Sequence, residues 1–168
     1  MKLKEYENII AETAIYPKEI KQSFGLAYCM LGLNEEFQEF IDAVYEKDKI
    51  KEAGDVIWYI TAMATEVNTS ISELWLEMAT ENIDVIYVSS VQKAITRLNG
   101  NVKKYYRDGK DYSSEIKHVL KIVLVFLKDY FSKCSRNLSD IFEINYNKLI
   151  KRRETNTLHG EGDNREEQ

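Results

Sequence analysis

The chain has 168 residues, 44% of them hydrophobic and 30% charged, the make-up of one ordinary globular domain with a core of its own. Its net charge of −5 argues against non-specific nucleic-acid binding as the main business, while leaving room for a local basic pocket for a small anion. One proline and seven glycines supply little turn-forming material, which favours long helices over many short strands and so an all-α helical bundle.

Residues 3–15 read as a short helix that stops near Pro17. From about 19 to 47 the apolar positions Ile20, Phe24, Ala27, Leu31, Phe37, Phe40, Ile41 and Val44 recur at helical spacing. The "KDK" at 47–49 reads as a turn, after which a second long helix runs from about Ile50 to Val67. Its middle, Val56 to Ile60, is apolar nearly all round, as in a helix inside a bundle. Ser70 and Glu73 make a capping box that starts the next helix. "IDVIYVSSV" at 83–91 is rich in β-branched residues, but nothing nearby offers it a partner strand, so it too reads as helix. "KIVLVFLKDYF" at 121–131 fits the helical template better than strict alternation. After about Arg153 the pattern gives way to a polar tail.

The chain opens on "MKLKEYENII", with no apolar core of a signal peptide, and its longest uncharged apolar run, "VIWYITAMAT" at 56–65, is too short to span a bilayer. A cytoplasmic protein that does not contact membranes is expected. Cys29 and Cys134 lie inside apolar helical patterns and read as core thiols in a reducing compartment. His118 and His159 are far apart, and no Cys/His cluster has zinc spacing.

The second half repeats the first weakly. "LNEEFQE" at 33 aligns with "LNGNVKK" at 98, "IKEAGDVIWYI" at 50 with "IKHVLKIVLVF" at 116, and "ISELW" at 71 with "LSDIF" at 138, the offset drifting only from 65 to 67 residues. The organisation expected is a single domain over 1–168. Its first unit covers about 1–82, a degenerate second unit about 83–153, and a glycine-containing tail 154–168. Glu36, Glu39, Glu52 and Asp55 of the first unit then correspond to Asn101, Lys104, His118 and Lys121 of the second.

Glu36 and Glu39 are three residues apart, as are Glu52 and Asp55, so each pair shares one face of its helix. Two antiparallel helices joined by a short turn can set such pairs opposite each other. Two readings follow: four solvated charges, or an oxygen-only ligand set for Mg²⁺, with Mn²⁺ as a substitute. Context favours the second. Glu52 and Asp55 run straight into "VIWYI", at the edge of the core, where unpaired acids are costly. Gly54 between them costs roughly 1 kcal/mol relative to Ala within a helix, which implies that something approaches closely there.

These segments resemble the MazG-like nucleotide pyrophosphohydrolases, all-α enzymes that carry E-x-x-E, a spacer of a dozen or more residues, and then E-x-x-D. "LGLNEEFQE" and "IKEAGDVIWYI" match that pattern, and "ETAIYP" and "AYCMLGL" resemble the family's opening segment. "NYNKLIKRRETNTLHGEGDNR" resembles its C-terminal signature, N-x-x-K-L with a following arginine and a glycine-rich G-x-G-D-x-R segment. Gln38 stands where the family often has glycine. About sixty residues separate the first unit from the N-x-x-K-L signature, longer than in short members, which gives the chain the look of a tandem pseudo-dimer similar to the dimeric dUTPases.

The resemblance implies a hydrolase that cleaves nucleoside triphosphates between the α and β phosphates, giving monophosphate and pyrophosphate. It implies Glu36, Glu39, Glu52 and Asp55 as the catalytic Mg²⁺ ligands. Lys148, Arg152 and Arg165 match the family's basic positions, with Asn145 hydrogen-bonding substrate or a ligating carboxylate. The base and sugar are left open, with dUTP and an alarmone among the alternatives, and so is a homodimer. Lys103, Lys104 and Arg107 have two readings, a phosphate-facing cluster across the pseudo-dimer or a solvated helix end before Gly109. Trp58, Tyr59 and Trp75 read as core aromatics before they read as a base-stacking platform. A competing class is a non-catalytic helical module that senses nucleotides or binds protein.

Overall fold

The computed structural model describes residues 2–14, 24–80, 83 and 87–158. Among them the apolar periodicity produces helices and no strand: α1 (Leu3–Thr13), α2 (Gly25–Asp42), α3 (Glu46–Glu66), α4 (Ile71–Thr80), α5 (Val88–Asp108), α6 (Ser113–Lys133) and α7 (Leu138–Glu154). The fold is an all-α bundle. No helix in it is long and apolar enough to cross a membrane.

Two hairpins form its frame, α2 with α3 and α5 with α6, and α2 lies along α5. The α2–α5 seam is antiparallel, as its side-chain bonds demonstrate. The Ala27 N–H donates to the Tyr106 hydroxyl at 3.2 Å, Gln92 Nε2 donates to Gln38 Oε1 at 3.2 Å, and between these Asn34 and Asn99 exchange amide bonds of 3.0 and 3.2 Å. Asn34 and Asn99 are the two asparagines that the internal alignment pairs. Two of the three corresponding helix starts keep the same step: Glu46 and Ser113 open α3 and α6, Ile71 and Leu138 open α4 and α7, each 67 residues apart, while Gly25 and Val88 open α2 and α5 63 apart. The third helix of each half packs on the other half's hairpin, α7 on α3 and α4 on α6, with α1 against α3, α4 and α7. The aromatic centre lies between α2 and α6, where Phe40 meets Tyr130 at 5.2 Å and Phe37 meets Phe126 at 5.8 Å between ring centroids. Each such buried ring contributes roughly 1.5–3 kcal/mol.

Several boundaries differ from the sequence reading. The α2–α3 turn falls at 43–45, and "KDK" lies in the first turn of α3. Extended Tyr45 is the N-cap, and its carbonyl accepts from the Asp48 and Lys49 N–H groups at 3.0 Å. Glu46 and Asp48 suit the positive end of the helix dipole there. Lys49 turns back to the C-terminus of α2, donating to the Phe40 and Ile41 carbonyls at 2.5 and 2.9 Å. Leu31 and Val44 are exposed; the buried stripe of α2 is Leu26, Cys29, Met30, Leu33, Phe37 and Phe40. Within the 83–91 run α5 begins at Val88, with Tyr87 as its extended N-cap. Ile83 lies outside any helix, and 84–86 fall outside the described residues. Cys29 is buried as expected, whereas Cys134 is exposed: the apolar stripe of α6 ends at Phe131, and Cys134 caps the helix before Ser135 turns left-handed at φ 56°. Pro17 and Ile20 fall outside the described residues. The capping box is present, with Glu73 N–H on Ser70 Oγ at 3.1 Å and Ser70 N–H on Glu73 Oε2 at 3.2 Å.

Two glycines give opposite predictions. A Cβ on Gly32 would meet the Tyr59 ring at 2.1 Å, so Gly32→Ala forces α2 from α3 and destabilises by about 1–3 kcal/mol. A Cβ on Gly100, inside α5, meets nothing within 4 Å, so Gly100→Ala stabilises by about 0.5–1 kcal/mol. Urea midpoints of the two variants check both signs.

Candidate metal centre

Glu36 and Glu39 stand on one face of α2, and Glu52 and Asp55 on one face of α3. The hairpin brings three of them together: carboxylate oxygens of Glu36, Glu39 and Glu52 lie within 4.8 Å of one another. Glu52 is buried, Glu36 half-buried and Glu39 exposed, so the group sits where the core meets solvent. Asp55 is turned toward α7, where it ion-pairs with Lys148 and accepts from Asn145 Nδ2 at 3.3 Å. It still acts on its neighbours. Burial, followed by the charges of Asp55, Glu39 and Glu52, pushes the Glu36 carboxyl up to about 8, against the opposing pull of Lys148. Lys51 pairs with Glu52 at 2.9 Å.

Gly54 shows what its position is for. A Cβ there would lie 2.9 Å from Asn145 Nδ2 and 3.0 Å from Asn145 Cβ, so the missing side chain lets α7 close on α3. From the other side the Tyr6 hydroxyl donates to Asn145 Oδ1 at 2.6 Å, both residues being essentially inaccessible. Burial, reinforced by the Asp55 charge, holds the Tyr6 hydroxyl protonated well above its ordinary range. The sequence reading missed Tyr6. Its only mark was an aromatic on the apolar face of a short helix, which is the mark of any core residue.

The remaining candidates divide. Lys148 reaches the acids, and Arg152 lies buried one turn further along α7. Arg165, with Gly160 and Gly162, lies outside the described residues. Lys104 is exposed on α5, where its charge acts on Asp108, and among the described residues no ion pair joins it to the acidic seam. Arg107 forks onto Asp108 at 2.6 and 2.7 Å, the behaviour of a solvated helix end. Trp58, Tyr59 and Trp75 are partly buried against the core: Trp58 Nε1 donates to Thr13 Oγ1 at 3.3 Å, and Trp75 meets Phe142 edge-on. His118 is exposed on α6.

A cavity of about 90 Å³ lies between the start of α3 and α7, with Lys47, Lys51 and Lys148 in its lining, and two of these lysines pair with the acids, Lys51 with Glu52 and Lys148 with Asp55. It is small beside the roughly 300 Å³ and more of pockets that enclose a whole small molecule, so a base and sugar would lie outside it. A wider cavity of about 480 Å³ between the start of α5 and the end of α6 holds two charged groups, Asp129 and Lys133, which pair with each other at 2.6 Å. The chemistry is concentrated at the smaller one. An all-oxygen donor set with converging carboxylates, one of them held protonated by burial and its like-charged neighbours, fits a hard divalent cation such as Mg²⁺ or Mn²⁺.

Compared with protein-family models, curated proteins and solved structures, the chain has no significant match.

Without metal, the native state carries a proton on Glu36 that the unfolded chain releases above its ordinary 4.5. That contribution is complete below 4.5 and is lost as pH rises toward the folded value of about 8. Melting temperatures in chelator therefore fall across this interval, and Glu36→Gln flattens the decline. An equally steep decline in the variant would contradict the electrostatic account of the cluster.

Proposed function

We propose that the chain is a Mg²⁺-dependent nucleoside triphosphate pyrophosphohydrolase, a relative of the MazG-like enzymes that yields a nucleoside monophosphate and pyrophosphate. The observation that carries this reading is the convergence of Glu36, Glu39 and Glu52 beside Asp55, with Glu52 and Asp55 ion-paired to Lys51 and Lys148, two lysines that also line a cavity. Acids alone would suit any divalent cation. Lysines alone would suit any anion. The two side by side suit a metal–phosphate complex, because Mg²⁺ commonly shares its coordination between carboxylates and substrate phosphates.

In this reading Glu36, Glu39, Glu52 and Asp55 hold the cation. Mg²⁺ bound there supplies charge neutralisation at the phosphate oxygens and acidifies a bound water. The chain's own residues do the rest. Water adds to the α phosphorus, the bond from that phosphorus to the α,β-bridging oxygen breaks, and pyrophosphate departs with the electron pair. A carboxylate of the set takes the water's proton. Lys148 and Arg152, from α7, hold the departing pyrophosphate, Arg152 in a fork suited to two oxygens and Lys148 as a compact charge. The second unit supplies no acid set of its own, since Asn101, Lys104, His118 and Lys121 stand at the aligned positions. Its contribution is α7, packed on α3. One catalytic centre per chain follows.

Chromatography of the products from a panel of ribo- and deoxynucleoside triphosphates, with and without Mg²⁺, tests the reading. Monophosphate plus pyrophosphate is expected only with metal. Glu36→Gln and Asp55→Asn should each lower turnover by on the order of a hundredfold or more, at or beyond the loss typical of groups one layer out from a metal ligand. Diphosphate plus phosphate would place the cleavage at another bond. No turnover of any nucleotide would favour the sensing module instead.

A further inference from the structure

We infer that Tyr6 is a positioning residue of the acidic site: its hydroxyl orients the Asn145 amide, and through it the Asp55 carboxylate. The inference rests on the metal-site reading above.

An asparagine amide presents an acceptor on one side and donors on the other, and it can turn over unless its neighbours decide between them. Here they decide. Asp55, when ionised, only accepts, so it requires Nδ2 on its side. The buried Tyr6 hydroxyl donates at 2.6 Å and requires Oδ1 on the other. Both donors that α7 offers, Asn145 Nδ2 and Lys148 Nζ, land on the same oxygen, Asp55 Oδ1. Oδ2 takes neither, and is left as the oxygen with which Asp55 would meet a cation. A carboxylate held by one oxygen presents the other at a fixed angle, which is the condition for a preorganised ligand.

Tyr6 is suited to this by more than its hydroxyl. Its ring stands edge-on to Phe142 at 4.7 Å, one helical turn before Asn145, so it grips α7 at two points. Its own helix is anchored on both sides. Glu7 accepts from the Ser72 N–H at 2.8 Å on α4, and Glu12 pairs with Arg153 on α7. Gly54 completes the arrangement by letting the amide lie against the α3 backbone, where a Cβ would push it away. Residues of α1 and α3, far apart in the chain, thus converge on one side-chain amide of α7.

The test is Mn²⁺ affinity, measured by electron paramagnetic resonance on the full chain with Mn²⁺ alone. The proteins are wild type, Tyr6→Phe, Asn145→Ala and the double variant, with Ile95→Val on α5 as a control for a loosened core. Tyr6→Phe keeps the ring on Phe142 and removes only the hydroxyl. It should weaken Mn²⁺ binding about tenfold or more, the range for groups that orient a metal ligand. In the Asn145→Ala background the same change should add nothing, because the hydroxyl acts through that amide. Ile95→Val should bind as wild type. Unchanged affinity in Tyr6→Phe, or losses that add in full, would overturn the inference and leave the metal site standing. Absence of Mn²⁺ binding by wild type would overturn the metal reading itself. If Tyr6→Phe fails to fold, Gly54→Ala displaces the same amide from the other side. It should also weaken binding, and unchanged affinity there would overturn the inference equally.

Discussion

Glu36, Glu39 and Glu52 direct three carboxylates into the seam between α2 and α3, beside Asp55, at the point where the buried residues Ala53, Val56 and Ile57 begin. Charges of one sign at this spacing repel, and the half-buried setting weakens the solvent screening that would soften the repulsion. The chain meets that strain in two ways. Glu36 keeps its proton far above the usual carboxylate range, and lysines are brought to two of its neighbours, Lys51 to Glu52 and Lys148 to Asp55. Both are partial remedies. A divalent cation would relieve the remaining repulsion, and the burial of Glu52 with the half-burial of Glu36 separates this cluster from ordinary surface acids.

The need to deliver Lys148 explains much of the topology. α7 must lie close on α3, and that closeness depends on Gly54 and on the amide of Asn145 filling the space a Cβ would occupy. The opposite side of the bundle has the inverse arrangement. There a buried lysine on the hairpin, Lys121, receives an acid from the third helix, Glu77, at 2.9 Å. So the α3–α7 contact joins a hairpin acid to a third-helix base, and the α6–α4 contact joins a hairpin base to a third-helix acid. With Asn34 and Asn99 bonded to each other between the hairpins, the halves are alike in packing and opposite in charge. Only one of them gathers acids.

Fold class was legible because it rests on apolar periodicity, which the composition of this chain leaves nearly undisturbed. The acidic seam was legible because i, i+3 spacing fixes a shared helix face before any tertiary contact forms. Gly54 was legible as a question: a costly residue in a helix implies a close neighbour, though not which one. What stayed hidden was decided by tertiary geometry. Asp55 turns from its three partners toward α7, and no local pattern foretells that. Tyr6 becomes important only because folding places it against a residue 139 positions away. The turn at 43–45 was misread because "KDK" is polar, and polar residues serve a helix's first turn as readily as they serve a loop.

The central claim is that burial and crowded carboxylates together hold Glu36 protonated until a divalent cation relieves them. The most direct measurement is an NMR titration of the Glu36 side-chain carboxyl carbon in the full chain, with chelator and then with saturating Mg²⁺. The account predicts a midpoint near 8 without metal, and a fall into or below the ordinary carboxylate range when Mg²⁺ is present. A midpoint near 4.5 in chelator, or one that Mg²⁺ leaves unmoved, would contradict it.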